Sequence, residues 1–104
     1  MYAVVGRPRF ARDLDDQEEL TVLRQVVARC EQSGGFRGLC TIRVNERELI
    51  NVFFWDTRDD GERGRDAVRP VVINLLAGAF DGAPEFAGGE VLFAHGVFER
   101  SAAR

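Results

Sequence analysis

The middle of the chain contains two neighbouring stretches whose hydrophobic patterns are typical of β-strands. In residues 39–44 apolar and polar side chains alternate, which is the period-two pattern of a strand buried on one face. Residues 48–57 are apolar on both faces. A strand of this kind needs cover on both sides, so we expect helices on one face and a partner subunit on the other. One face holds Ile50, Val52 and Phe54, and the other holds Leu49, Asn51, Phe53 and Trp55.

The amino-terminal third predicts a strand followed by a helix. Residues 2–6 are rich in β-forming side chains, and the run stops at Arg7-Pro8 because proline cannot donate to a sheet ladder. Five acidic residues within positions 13–19 then suit the capped first turn of a helix, where carboxylates complement the helix dipole. The helix is expected to end at residues 33–35, which include two glycines. Its apolar stripe consists of Leu20, Leu23, Val26, Val27 and Cys30.

The carboxyl-terminal half predicts a second helix and a last strand. A polar stretch at 58–64, interrupted by two glycines, predicts a weak helical turn or a loop. From residue 65 onward apolar residues recur at helical spacing, with Pro70 among them. The helix either starts near Ala67, with Pro70 in its first turn, or is longer and kinks at Pro70. Residues 90–99 predict the last strand, again apolar on both faces.

These elements follow the order β-α-β-β-α-β in one domain spanning residues 1–104. The two middle strands meet at residues 45–47, which lack the Asn-Gly pair of the tightest turns, so we expect a longer connection of about three to five residues. The order is that of the α+β ferredoxin-like fold, an antiparallel four-stranded sheet with both helices on one face. The other face stays open, and two such sheets packed face to face would form a homodimeric α+β barrel.

Composition and charge argue against several classes of function. The net charge is −3, the pI is near 5.1 and no basic stripe is visible, so nucleic acid is not an expected partner. All 14 basic residues are arginine, which excludes Schiff-base chemistry on lysine. Cys30 and Cys40 are expected to be small buried thiols, and with a single histidine they offer no metal-ligand spacing. Without a hydrophobic leader or an apolar run of about 18 residues, the chain is expected to be cytoplasmic and away from membranes.

Two short motifs and the order of elements resemble one known family. Residues 35–38 are Gly-Phe-Arg-Gly, before the second strand, and residues 52–57 are Val-Phe-Phe-Trp-Asp-Thr, at the end of the third. Together they resemble the antibiotic-biosynthesis-monooxygenase-like domains of the dimeric α+β barrel superfamily. The resemblance implies a cofactor-independent monooxygenase that oxidises an aromatic polyketide-like or quinol substrate with dioxygen. The motifs identify the fold better than the chemistry, since the superfamily also contains haem degraders, isomerases and proteins of no known activity.

The same resemblance implies a site on the third strand. In the members that oxidise anthrones and quinols, an Asn and a Trp four residues later line the substrate cavity, and Asn51 and Trp55 have that spacing. Asn51 would donate a hydrogen bond to the developing oxyanion or peroxide, and Trp55 would orient the substrate carbonyl and stack on its rings. Phe53 lies between them on the same strand face. Phe53, Arg69 and His95 are the expected substrate-binding residues, and no cofactor or metal is expected.

Each of these residues also has a structural interpretation. Asn51 would be a strand amide bonded to a loop, Trp55 a core anchor at a strand end, and His95 a core or interface residue. The family also uses a Tyr and an Arg, but the only tyrosine here is Tyr2, and Arg69 is the nearest match for the arginine. The helix-borne histidine of the haem degraders has no counterpart, which disfavours that activity. Two other functions stay open: a non-catalytic barrel that binds a small apolar ligand, and a cyclase or isomerase that consumes no oxygen.

Overall fold

The computed structural model describes residues 1–76 and 78–97 of the chain. The order of elements is the predicted βαββαβ, and the structure is α+β as expected. The elements are β1 (Tyr2–Arg7), α1 (Asp16–Ser33), β2 (Phe36–Asn45), β3 (Glu48–Trp55), α2 (Arg58–Leu76) and β4 (Glu85–Glu90). No helix within the described ranges is both long and apolar enough to cross a membrane.

The four strands form one antiparallel sheet in the order β2-β3-β1-β4, so β1 and β3 are its central strands. Val4 of β1 lies between Phe53 of β3 and Gly88 of β4. Alternate residues of each strand share a face, and both helices pack on the face that carries Leu49 and Trp55. This is the ferredoxin-like arrangement that the order of elements predicts.

Helix α1 begins where the acidic run places it. Asp15 is the N-cap, and its Oδ1 accepts a hydrogen bond of 2.7 Å from the backbone N–H of Glu18. The helix is followed by Gly34, whose φ of 89° suits glycine. The predicted stripe is wrong at its first position, because Leu20 is 42% exposed while Val22, two residues on and almost opposite it on the helix, is buried.

Helix α2 is longer than its hydrophobic pattern predicts. The polar stretch 58–64, expected to be a loop or weak turn, forms the beginning of the helix, and Pro70 lies inside it. The helix is therefore the longer of the two alternatives, while the kink expected at Pro70 stays a prediction. A Cβ atom at Gly64 would lie 2.0 Å from Cη2 of Trp55, so this glycine permits the helix to approach the sheet closely. The residue that weakens the local helix signal is thus required by packing.

The connection between β2 and β3 is shorter than expected. Asn45 pairs with Glu48 across the sheet, which leaves Glu46 and Arg47 as a two-residue connection instead of three to five residues. Oδ1 of Asn45 accepts a hydrogen bond of 2.9 Å from the backbone N–H of Arg47 and closes the turn. The side chain of Asn45 thus takes the place of an Asn-Gly pair.

The last strand lies earlier in the chain than predicted. β4 is Glu85–Glu90, so it shares only Glu90 with the predicted strand at residues 90–99. A Cβ atom at Gly88 would lie 2.3 Å from Oη of Tyr2, so β4 is placed by close packing against β1 and not by β-forming side chains. Residues 91–97 follow it without strand structure, and positions 98 and 99 of the predicted strand lie outside the described residues.

The sheet face opposite the helices is apolar and open in the single chain. Ile42, on this face, is 47% exposed. Cys40 is exposed as well, so the expectation of two buried thiols is correct for Cys30 and wrong for Cys40; both are free. From the strand register, the open face is formed by Ala3, Val5, Cys40, Ile42, Ile50, Val52, Phe54 and Ala87.

Candidate active site

A cavity of about 120 Å³ lies between the helix-covered face of the sheet and the two helices. Among the described residues that line it, Glu19 and Asn51 have the only polar side chains. Phe86 both lines the cavity and is 60% exposed, so the cavity reaches the surface beside it. The apolar walls come from the strands through Leu49 and Phe53, and from the helices through Val22, Val26, Val68 and Val72.

Asn51 is half-buried in the cavity wall and is oriented by the neighbouring strand. Thr41 lies opposite it in the β2–β3 register, and Oγ1 of Thr41 donates a hydrogen bond of 2.7 Å to Oδ1 of Asn51. Within the described part of the chain, Nδ2 of Asn51 makes no hydrogen bond. Two N–H donors therefore remain for a ligand atom in an otherwise apolar wall.

Phe53 lies in the cavity wall, whereas Trp55 is buried in the core beyond it. Both share a strand face with Asn51, as the sequence predicts. Trp55 is 2% exposed, its ring centroid lies 5.1 Å from that of Phe36, and its six-membered ring abuts Gly64. Trp55 does not line the cavity. This geometry supports the structural interpretation of Trp55, as a core anchor at the end of β3.

Arg69 and His95 lie away from the cavity. Val68 and Val72 line it, and Arg69 is rotated about 100° from Val68 around α2, so its side chain is exposed. His95 is exposed in the segment that follows β4, because the strand ends at Glu90. Of the five residues expected at the site, the structure brings Asn51 and Phe53 to the cavity.

Glu19 lines the cavity, although the sequence assigns it only to the acidic start of α1. Its side chain is 11% exposed and forms an ion pair with Arg43 of β2. Arg43 also pairs with Asp16 at 2.9 Å. The helical spacing could have predicted that Glu19 faces the cavity, because Glu19 precedes Val22 by three residues and Leu23 by four and shares their helix face.

The arrangement suits an apolar molecule that carries one or two polar atoms. Apolar walls exclude water, which strengthens the few hydrogen bonds made inside. Within the described ranges, no group of three or more His, Cys, Asp or Glu side chains is placed to hold a metal ion. The chain's own groups at the cavity therefore provide hydrogen-bond donation by Asn51 and hydrogen-bond acceptance by Glu19.

The fold is shared with solved structures at low sequence identity. SnoaB, a cofactor-independent oxygenase from Streptomyces nogalater, superimposes with a TM-score of 0.71 at 15% identity over 89% of this chain and 94% of SnoaB. A candidate antibiotic biosynthesis monooxygenase from Caulobacter crescentus gives a TM-score of 0.70 at 13% identity over 88% and 90% of the two chains. A Nitrosomonas europaea protein of unknown function gives 0.69 at 10% identity over 90% and 91%.

No protein-family model and no curated protein sequence matches the chain. At identities of 10–15%, the likeness to these structures establishes the fold alone, because one fold hosts many activities. The shared fold agrees with the family resemblance of the motifs at residues 35–38 and 52–57. The chain therefore has the fold of the antibiotic-biosynthesis-monooxygenase-like proteins.

Proposed function

We propose that the protein is a cofactor-independent monooxygenase that oxidises a small aromatic, anthrone-like or quinol substrate with dioxygen. The observation that carries the proposal is the Asn51 amide, which faces an apolar cavity with its Nδ2 donors unused by the described residues. The named activity of SnoaB, which shares the fold, supports the same chemistry.

The reaction draws its electrons from the substrate. A CH₂ group between two aryl rings loses a proton to water to give a carbanion, which reduces dioxygen to a peroxide anion. The peroxide anion takes a proton back from water, and the hydroperoxide then collapses to a ketone and water. The overall change is Ar₂CH₂ + O₂ → Ar₂C=O + H₂O, with one oxygen atom on carbon and the other in water. The protein has to stabilise a negative charge that develops on oxygen, and a preorganised amide in a site that excludes water does this.

The residues divide this work between them. Asn51, held by Thr41, donates to the developing oxyanion or peroxide from a fixed direction. Phe53 and the apolar helix residues exclude water and contact the rings of the substrate. Trp55 acts through packing, because it lies beneath the cavity wall and not in it. Arg69 and His95 have no role in the proposed reaction, because neither lines the cavity.

We further infer that the protein is a homodimer that buries the open sheet face. That face is a contiguous apolar surface, and Ile42 on it is 47% exposed. An isologous contact between two such faces forms the α+β barrel. Sedimentation of a charged Ile42 variant tests this association.

A non-catalytic ligand-binding protein is the second candidate. It is favoured by the ion pair between Glu19 and Arg43, because the one carboxylate among the described lining residues is already paired with a guanidinium group of the protein itself. In such a protein Asn51 would recognise a ligand oxygen without turnover.

Oxygen uptake by the purified, metal-stripped protein with anthrone separates these functions. Removal of one oxyanion donor typically lowers turnover by a factor of about 100 or more, so we expect this loss in Asn51→Ala. Asn74→Ala is the matched control, because Asn74 is an exposed asparagine of α2 that does not line the cavity. Circular dichroism has to show that both variants are folded.

Three results would contradict the oxygenase. Uptake that does not exceed the spontaneous rate favours the ligand-binding protein. Conversion of substrate without oxygen consumption favours a cyclase or isomerase. Equal uptake in Asn51→Ala and wild type removes Asn51 from the reaction, since this amide is the observation on which the proposal depends.

A further inference from the structure

Glu19 is the second polar side chain in the cavity wall, and the oxygenase chemistry above assigns it no role. Its Oε1 accepts a hydrogen bond from Arg43, whereas Oε2 has no hydrogen-bond partner among the residues that the structure describes. The side chain is 11% exposed and lines an otherwise apolar cavity. A carboxylate oxygen in such surroundings is a strong acceptor for a neutral donor.

Glu19 and Asn51 are both held by side chains of β2. Arg43 holds Glu19 and Thr41 holds Asn51, and these two residues lie two positions apart on the same face of β2. A strand advances about 3.3 Å per residue, so the two anchoring points are separated by about 7 Å. Both polar side chains of the cavity wall are therefore oriented by neighbouring positions of one strand face.

The charge at this wall adds a second restriction on the ligand. Arg43 pairs with both Glu19 and Asp16, so the three side chains together keep one net negative charge. An anionic ligand such as a carboxylate would be repelled there, while a neutral hydroxyl group would find an acceptor.

We propose that Glu19 anchors the ligand by accepting a hydrogen bond from a hydroxyl group at Oε2. The inference rests on the proposed function of the cavity as the ligand site, and it narrows the ligand to neutral hydroxyaryl compounds. A second oxygen of the same molecule accepts from Nδ2 of Asn51. Arg43 is a positioning residue that holds the Glu19 carboxylate at the cavity wall.

The test compares three single-ring probes of similar size by calorimetric titration at neutral pH. Phenol carries the donor, anisole lacks it, and benzoate carries a negative charge. Because a hydrogen bond to a charged group is among the stronger ones, we expect wild type to bind phenol about tenfold more tightly than anisole and to bind benzoate most weakly. Wild type is compared with Glu19→Leu, Glu19→Gln and Glu18→Gln.

The variants distinguish loss of the hydrogen bond to Glu19 from loss of ligand binding in the cavity. In Glu19→Leu phenol and anisole should bind within about twofold of each other, while anisole keeps its wild-type affinity. Glu19→Gln keeps a partner for Arg43, and there benzoate should gain affinity while the preference for phenol falls. Glu18→Gln removes one negative charge from the residue before Glu19. Glu18 pairs with Arg12 and does not line the cavity, so this variant should bind all three probes as wild type does.

Two results would overturn the role of Glu19. If Glu19→Leu and Glu19→Gln still prefer phenol and still bind anisole, Glu19 does not hold the ligand hydroxyl. The cavity would then remain the binding site. Failure of all three probes to bind wild type removes both the anchor and the cavity as a ligand site. The titrations need no oxygen, so a failure of the oxygenase function is recognised separately, by the absence of oxygen uptake.

Discussion

Gly64 lies in α2 directly above the buried ring of Trp55, and a methyl group at this position tests how tightly the helix is packed there. In a helix interior, alanine is favoured over glycine by about 1 kcal/mol, so helix propensity alone predicts that Gly64→Ala stabilises the protein. The structure predicts the opposite. The new Cβ would lie 2.0 Å from Cη2, 2.4 Å from Cζ2 and 2.7 Å from Cζ3 of Trp55.

The size of the effect follows from these distances. Carbon atoms in contact are normally about 3.5–4.0 Å apart, so the helix or the ring has to move by more than about 1 Å. Trp55 is 2% exposed and packs against Phe36, which leaves it no free space. Overpacking of a core costs about 1–3 kcal/mol, and this contact lies at the upper end. After the gain in helix propensity, we expect Gly64→Ala to lower the free energy of unfolding by about 2 kcal/mol.

The assay is urea unfolding followed by far-ultraviolet circular dichroism, at one fixed protein concentration because association would shift the midpoint. Gly61→Ala is the matched control in the same helix, since its Cβ would lie 3.1 Å from Cδ2 of Tyr2 and 3.3 Å from Cδ1 of Trp55. We expect this control to change stability by less than about 1 kcal/mol, because the gain in propensity offsets a smaller overlap.

A double-mutant cycle identifies Trp55 as the cause. Trp55→Phe removes the three ring atoms that the new methyl group would strike, so in that background Gly64→Ala should be neutral or stabilising. The expected coupling energy is about 2 kcal/mol. Stabilisation by Gly64→Ala in the wild-type background, or a coupling energy below about 0.5 kcal/mol, would refute the reasoning.

Two further predictions concern the open sheet face and the cysteines. Ile42→Asp should turn the proposed dimer into a monomer in analytical ultracentrifugation, whereas Ile73→Asp, at a 54% exposed helix position, should leave it a dimer; equal behaviour of the two variants contradicts the interface. Cys40 lies on the same open face, so it should react slowly with a thiol reagent in the proposed dimer and quickly in the Ile42→Asp monomer, while buried Cys30 should react only on unfolding. Burial raises the pKa of the Cys30 thiol from 9.0 to about 12. The unfolded thiol therefore ionises first above pH 9.0, and stability should fall through this range less steeply in Cys30→Ala.

Much of the fold was predictable because its signals are local. The alternation in β2 and β3, the acidic start of α1 and the glycines after it depend on residues close together in the chain. The strand face shared by Asn51 and Phe53 follows from the two-residue period alone. These signals were enough for the βαββαβ order and for the ferredoxin-like sheet.

The sequence predictions are wrong where contacts with another element determine the position of a helix or strand. The start of α2 was missed because Gly64 disfavours a helix locally, yet the glycine is needed where α2 packs against the ring of Trp55. β4 was misplaced because Gly88 offers no β propensity, yet a Cβ atom at this position would lie 2.3 Å from Oη of Tyr2. In both cases a contact between residues distant in sequence outweighs the local preference.

The sequence by itself determined the secondary-structure order, the apolar faces of the strands and the presence of Asn51 among apolar residues. Only the tertiary structure decided which side chains meet at the cavity. It brought Glu19 of α1 beside β2, left Trp55 in the core, and turned Arg69 outward. The physical reason is that the direction of a side chain follows from local periodicity, whereas its neighbours depend on how helices and sheet pack together.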